Sequence, residues 1–277
     1  MTQEITRIAQ LADRYDAIVF DQWGVLHDGS SPYSGAVAAL TELTQSACRL
    51  AVLSNSGKRS APNAARISAM GFQAVDFDEV MTSGEALWRD IAEGRVGEQF
   101  FYAIERDLGD AASWAAGLDI TFSDLGTAQA VLLMGLPDGS KLADWTPVLE
   151  TALSRGLPVY CSNPDRKSPR ADGLVISPGA LGFAYKDMGG DVSFYGKPHK
   201  PVFTALENAL GTKRLLMVGD SLEHDISGAK AAGWDSLFVA GGLYAAHFEG
   251  AEKSAAMAKL LEDTGMPAPT YMIGELR

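Results

Sequence analysis

Cysteine is almost missing from this 277-residue chain: Cys48 and Cys161 are the only two, and they form no C-x-x-C pair. That excludes a disulfide framework and a thiolate zinc site, and the two thiols read as buried, reduced core residues. Histidine is scarce too, at four residues, and His27 and His247 show no metal-ligand spacing with His199 and His224. No zinc centre is expected. Positive charge is in short supply, since 23 Lys and Arg face 35 Asp and Glu for a net charge of -12. A surface of that sign repels nucleic acid and anionic lipid, so neither is an expected partner, and a phosphorylated ligand needs a local cation. No apolar run approaches the roughly 20 residues of a membrane span. The N-terminal MTQEITRIAQLADRYDAIVF lacks the basic start and small-residue cleavage site of a secretory signal, which makes the cytoplasm the expected location.

What is present is an ordinary globular balance, 47% apolar and 21% charged, in a chain long enough for two domains or one large α/β domain. Short apolar runs end abruptly at polar residues: Ala17-Ile18-Val19-Phe20 before Asp21, Leu50-Ala51-Val52-Leu53 before Ser54, and Leu215-Leu216-Met217-Val218 before Gly219-Asp220. They are too brief for helices and read as buried parallel strands. Stretches with helix start and stop signals separate them: 34–47, 60–70 with Pro62 in the first turn, 200–210 closed by Gly211, and 225–232 closed by Gly233. The alternation predicts an α/β fold built on a doubly wound, Rossmann-like parallel sheet. Ligands of such sheets bind beyond the carboxyl ends of the strands, where Asp21, Ser54 and Asp220 fall. The middle of the chain repeats the pattern, with strands expected at 100–104, 131–134, 158–161 and 174–176 and helices at 108–116 and 145–154. Thr82-Ser83-Gly84 and Met188-Gly189-Gly190 are candidate hinges. They divide the chain into a discontinuous core domain, 1–81 and 190–277, and an inserted α/β domain, 82–189.

The chemistry concentrates in few residues. An aspartate after an apolar run is by itself a turn or cap residue. Asp21, however, is joined by Asp220 and Asp225 of MVGDSLEHDISGAKAAG, five apart where a strand gives way to a helix. Asp225 could serve as an N-cap. Three carboxylates gathered at one sheet edge repel unless a cation neutralises them, and a few all-oxygen ligands suit Mg²⁺.

The segments DQWGVLHDG, LSNSGK, YGKP and VGDSLEHD, in that order and strand context, resemble the four motifs of the haloacid dehalogenase-like (HAD) hydrolases. CSNPDRKSP and SPGALGFAYK within the insertion are similar to the subclass with a large α/β cap, which contains nitrophenylphosphatase-like and sugar- or nucleotide-phosphate phosphatases. The resemblance covers nearly the whole chain. It implies a Rossmann-like core with an inserted cap, and a phosphohydrolase acting on a small phosphorylated metabolite through an aspartyl-phosphate on Asp21. It further implies that Ser54 and the backbone of Asn55 bind a phosphoryl oxygen and that Lys197 supplies the positive charge. By the same resemblance Mg²⁺ would be held by Asp21, the carbonyl of Trp23, Asp220 and, directly or through a hydrogen bond, Asp225. Asn163 and Asp165 could project toward the substrate, although an ordinary turn fits them equally. By analogy with the subclass, two copies pair through their caps as a homodimer.

One position departs. Family phosphatases carry a second Asp two residues after the nucleophile, which protonates the leaving oxygen; here it is Trp23, whose indole cannot. Losing a general acid forfeits about 10²- to 10⁴-fold in rate. A phosphatase best suited to activated substrates is therefore one reading, and a phosphate-ester binding or regulatory protein is the other. Asp28-Gly29 reads as a turn and not as a replacement acid. His199 and His224 fall near the motifs. Trp88, Trp114 and Trp145 read as packing residues, and Ser56-Gly57-Lys58-Arg59 lacks the frame of a P-loop.

Overall fold

The computed structural model describes residues 2–33, 35–73, 75–170 and 173–276. The chain divides into two compact units: one of Met1–Ser54, Ala61–Met81 and Phe203–Arg277, the other of Asn55–Ser60 and Thr82–Val202. In chain order the strands are β1 (Gln3–Glu4), β2 (Ala17–Phe20), β3 (Arg49–Ser54), β4 (Glu79–Thr82), β5 (Phe100–Ile104), β6 (Thr121–Phe122) and β7 (Ala130–Leu133). They continue with β8 (Val159–Cys161), β9 (Lys167–Arg170), β10 (Gly173–Ile176), β11 (Val192–Phe194), β12 (Leu215–Gly219), β13 (Asp235–Val239) and β14 (Tyr271–Ile273). Among the described residues no helix is long and apolar enough to cross a membrane.

The first unit is built on a seven-stranded sheet in the order β1-β14-β13-β12-β2-β3-β4. Every residue of β2 and β12 is buried, which is why these strands are unbroken apolar runs: both faces of the sheet are covered. Successive side chains alternate between two cores. Leu216, Val218, Leu237 and Val239 join Ile18, Phe20 and Val52 on one side, packed against Leu40 and Leu43 of the helix Ala36–Leu43. Phe238 and Met272 face the other, with Met257 and Leu260 of the helix Lys253–Thr264. Phe20 is fully buried, and truncating such a ring to alanine costs about 3–5 kcal/mol.

Parallel pairing sets Phe20 level with Val52 on one neighbour and Val218 on the other. From β2 the chain steps outward through β3 to β4, then reappears on the opposite side of β2 as β12, β13 and β14. The order reverses between β2 and β12, and a sheet of this kind opens its ligand crevice beyond the carboxyl ends at such a switch point.

In the second unit β11-β8-β7-β5-β6 form a parallel sheet. The helices Leu142–Ser154 and Pro178–Asp187 supply Leu149, Ala152, Leu181 and Tyr185 to its core. Several details differ from the sequence expectation. Residues 174–176 are one arm of the antiparallel hairpin β9/β10 and stand outside the parallel sheet. β11 pairs with β8, so the second unit runs on past residue 189 to Val202. The candidate hinge at Thr82-Ser83-Gly84 does fall where the second unit resumes, at Thr82, but it is the buried start of the helix Ser83–Ala92, where Thr82 Oγ1 accepts the Glu85 N–H at 2.9 Å. Gly84 answers a close approach, because a Cβ there would lie 2.0 Å from the Gly57 carbonyl oxygen. The helix expected at 34–47 spans Ala36–Leu43, and its expected start at Ser34 lies outside the described residues.

Candidate functional site

The register places Asp21 immediately beyond β2 and Asp220 immediately beyond β12, with Asp21 N–H extending the ladder to the Val218 carbonyl at 2.9 Å. Asp225 reaches the same place from a wide turn of π geometry, Leu222–Ile226, which continues as the helix Ser227–Ala232. Ser221 caps that turn, its side chain accepting the His224 N–H, so the cap role that Asp225 could have filled belongs to Ser221. One ligand oxygen from each of Asp21, Asp220 and Asp225 lies within 4.8 Å of the others. Asp225 is fully buried and Asp220 is 6% exposed.

At that spacing each pair of unit charges repels by roughly 3.5 kcal/mol with an effective dielectric of about 20. Hydrogen bonds offset part of this: Asp225 Oδ2 accepts the Ser221 N–H at 3.1 Å and Asp220 Oδ2 accepts the Leu243 N–H at 2.7 Å. A hard divalent cation would offset the rest, and an all-carboxylate donor set fits magnesium. The cradle requires glycine at three places. A Cβ at Gly24 would fall 1.7 Å from Asp220 Oδ2, at Gly242 2.4 Å from the same carboxylate, and at Gly219 2.2 Å from Asp225. Sequence reasoning missed Gly24, Gly242 and Leu243. The signal for the last two was the Gly241-Gly242 doublet just past β13, at the same sheet edge.

The turn after Asp21 is tightly built. The Gln22 carbonyl accepts N–H groups from Val25, Leu26 and His27. Gly29, at φ +101°, lies against the Trp23 indole, since a Cβ there would be 2.3 Å from ring atom Cζ2. The His27 ring stands edge-on to the same indole, centroids 6.2 Å apart. Its Nδ1 accepts the Gly29 N–H, and burial, aided by the positive charge of Arg66, pushes its pKa down to about 4. Asp28 Oδ1 accepts N–H groups from Ser30 and Ser31 at 2.8 Å each, which holds its carboxyl below the usual range. Tyr33 closes the turn through its N–H to the Leu26 carbonyl, and burial together with the charges of Asp220 and Asp28 pushes its phenol upward. Trp23 itself remains 48% exposed.

Ser54, the last residue of β3, is half-buried on the first unit's sheet edge. The remaining expected residues belong to the second unit, where the structure brings Asn55, Asn163, Asp165 and Lys197 together. Asn55 Oδ1 accepts the Lys197 N–H at 2.6 Å, and its Nδ2 donates to the Lys197 carbonyl at 3.2 Å and to Asp165 Oδ1 at 2.8 Å. Asn163 Oδ1 accepts the Asp165 N–H at 3.0 Å. Lys197 is buried and precedes a cis peptide to Pro198. Gly196 leaves space for this clamp, since a Cβ there would sit 2.6 Å from Asn55 Oδ1. His199 stacks on Phe194 at 4.8 Å, Trp114 is buried with its N–H on the Gly84 carbonyl, and Trp88 lies under the Arg59 guanidinium. Both thiols are buried, and burial pushes Cys48 up to about 11 and Cys161 up to about 12.

Comparison with known proteins matches residues 18–113 to a family model described as haloacid dehalogenase-like hydrolase and residues 194–264 to a second, HAD-hydrolase-like model. A haloacid dehalogenase-like hydrolase from Brucella suis 1330 is 31% identical in its crystal structure, covering 99% of this chain and 100% of that one with a TM-score of 0.79. The chain is 28% identical over 242 residues to D-glycerol 3-phosphate phosphatase of Mycobacterium tuberculosis, spanning 85% of this chain and 66% of that protein. The crystal structure of a glycerol phosphate phosphatase from the same organism, in complex with magnesium, is similar at 26% identity and a TM-score of 0.69 over 86% of this chain and 73% of that one.

Proposed function

The chain belongs to the haloacid dehalogenase-like hydrolase family, and from that premise we propose that it is a phosphatase of phosphoric monoesters, acting with magnesium on a small phosphorylated metabolite with Asp21 as nucleophile. The observation that carries the proposal is the gathering of Asp21, Asp220 and Asp225 at the switch point of the sheet. In this reading Asp220, Asp225, Asp21 and the Trp23 carbonyl would hold Mg²⁺, which would screen the carboxylates from an incoming phosphate and polarise a phosphoryl oxygen. The relatives' structures with magnesium and with calcium support a divalent ion.

Asp21 attacks phosphorus, the bond to the leaving oxygen breaks, and water later cleaves the aspartyl-phosphate to return the carboxylate and inorganic phosphate. Ser54 and the Asn55 backbone take phosphoryl oxygens, Lys197 supplies positive charge, and the inserted five-stranded sheet of the second unit with its helices acts as the cap that sets specificity. Within the turn 22–33 neither ordinary donor replaces the missing acid: His27 is neutral and Asp28 is held ionised. The turn therefore favours leaving groups that depart without a proton, such as acyl and aryl phosphates.

The test is phosphate release with and without Mg²⁺ from acetyl phosphate, p-nitrophenyl phosphate and a sugar phosphate, with Asp21→Asn as control. Release that needs both Mg²⁺ and Asp21, fastest on the two activated substrates, is expected. Release that persists in Asp21→Asn would remove Asp21 from the role of nucleophile.

A further inference from the structure

The turn that lacks an acid offers an aromatic surface in its place. Among the described residues three aromatic side chains are exposed, and two of them, Trp23 at 48% and Tyr33 at 36%, belong to the one turn between Asp21 and the helix Ala36–Leu43. Their location is fixed by contacts within the first unit. Gly24, the residue after Trp23, lies so close to Asp220 that a Cβ would overlap its carboxylate, so the Trp23-Gly24 peptide borders the carboxylate cluster. Tyr33 is tied to the same turn by its N–H to the Leu26 carbonyl, next to Pro32, which bridges His27 as Trp23 does.

The Trp23 ring is also held in place. Gly29 packs under it at a positive φ that favours glycine, and the His27 ring abuts its edge, itself fixed by the Gly29 N–H on Nδ1. A partly exposed ring already held by its neighbours loses little conformational entropy when a ligand stacks on it. An exposed indole so constrained beside the carboxylate cluster is a recognition surface of known preference, since aromatic rings stack on planar rings.

We propose that Trp23, flanked by Tyr33, is the platform for the leaving-group half of the substrate, and that the substrate class is phosphate monoesters of planar aromatic hydroxyl compounds. The inference rests on the phosphatase reading above and narrows its substrate. Two independent properties of the turn converge on this class. A phenolic oxygen departs as the phenolate and needs no donated proton, while its ring matches the indole face. In the balanced step, the Asp21 carboxylate forms a bond to phosphorus, the phosphorus–aryl oxygen bond breaks, and the electron pair leaves on the phenolate, which takes its proton from water. Water then attacks phosphorus, releasing inorganic phosphate and the Asp21 carboxylate.

The experiment compares two non-hydrolysable probes, phenylphosphonate and methylphosphonate, as ligands of the full chain with Mg²⁺, in wild type, Trp23→Phe and Trp23→Leu. Wild type is expected to bind phenylphosphonate about two- to twelvefold more tightly, the ratio an aromatic pair provides. Trp23→Phe should keep most of that ratio. Trp23→Leu, apolar but not aromatic, should bring it close to one. The ratio of kcat/KM for p-nitrophenyl phosphate over acetyl phosphate should follow the same order. Equal affinities in wild type, or a preference that survives in Trp23→Leu, overturns the platform. With Asp21-dependent release from acetyl phosphate still present, that result would leave the phosphatase reading standing. A Trp23-dependent preference without phosphate release from any ester would do the reverse, upholding the platform and removing the hydrolysis.

Discussion

An indole at position 23 has one N–H of no useful acidity, whereas a carboxylic acid there can protonate a departing oxygen and then activate water. Trp23→Asp should therefore raise kcat/KM for alkyl phosphates such as glycerol phosphate by about 10²- to 10⁴-fold, while acetyl phosphate, whose leaving group needs no proton, changes far less. Steady-state assays of both substrates check this. An equal change for both would mean that proton donation does not limit the wild type. Single residues were also where the sequence was most and least informative. Asp21 and Asp220 stand out because apolar strands end beside them, and Asp225 because it follows in the same segment where the strand gives way to a helix, and the three do converge. Gly24, Gly219 and Gly242 do not stand out. Each is demanded by a carboxylate brought up from elsewhere in the chain, a non-local fact that local pattern does not carry.

Elements were legible where their pattern was local. β2 and β5 coincide with their apolar runs, and the helix Lys200–Leu210 ends where Gly211 predicts. β4 and β14 were missed because their runs are short and mixed, and only pairing in a shared sheet defines them. The segment 163–165 was equally ambiguous, a turn or a substrate contact. The structure gives it a partner: Asp165 orients the Asn55 amide, and that amide grips Lys197 through both its N–H and its C=O. A lysine backbone held at two points fixes where the ammonium can reach. Asp165→Ala should thus lower kcat by about tenfold with a smaller effect on KM, in line with coupling of about 0.5–3 kcal/mol between hydrogen-bonded neighbours. Asp165→Asn retains an acceptor for Asn55 and should recover most of the loss. In Asn55→Asp the donor becomes a carboxylate facing Asp165, and adding Asp165→Asn restores a donor–acceptor pair. If the double variant is no faster than Asn55→Asp alone, the clamp does not act through this bond.

Across the molecule the two units keep separate apolar cores, and all three clustered carboxylates belong to the first. Neither the second unit's extent to Val202 nor its share of residues 55–60 was visible in composition, because both depend on pairing between distant segments. The distribution of charge has a thermodynamic consequence. An ion that binds the folded cluster and not the unfolded chain stabilises by about 2.7 kcal/mol at a hundred times its Kd. At roughly 2–4 °C per kcal/mol, saturating Mg²⁺ should raise the melting temperature of the wild type by about 5–10 °C. Asp220→Asn keeps an oxygen to accept the Leu243 N–H but removes one charge, so it should fold while losing most of that rise. Calorimetry with Mg²⁺ and with EDTA reads both proteins. No rise in the wild type would mean that the carboxylates hold no cation in solution, and a full rise in Asp220→Asn would place the cation away from the switch point. A rise confined to the wild type would tie the charge balance of the sheet edge, and with it the stability of the first unit, to the ion.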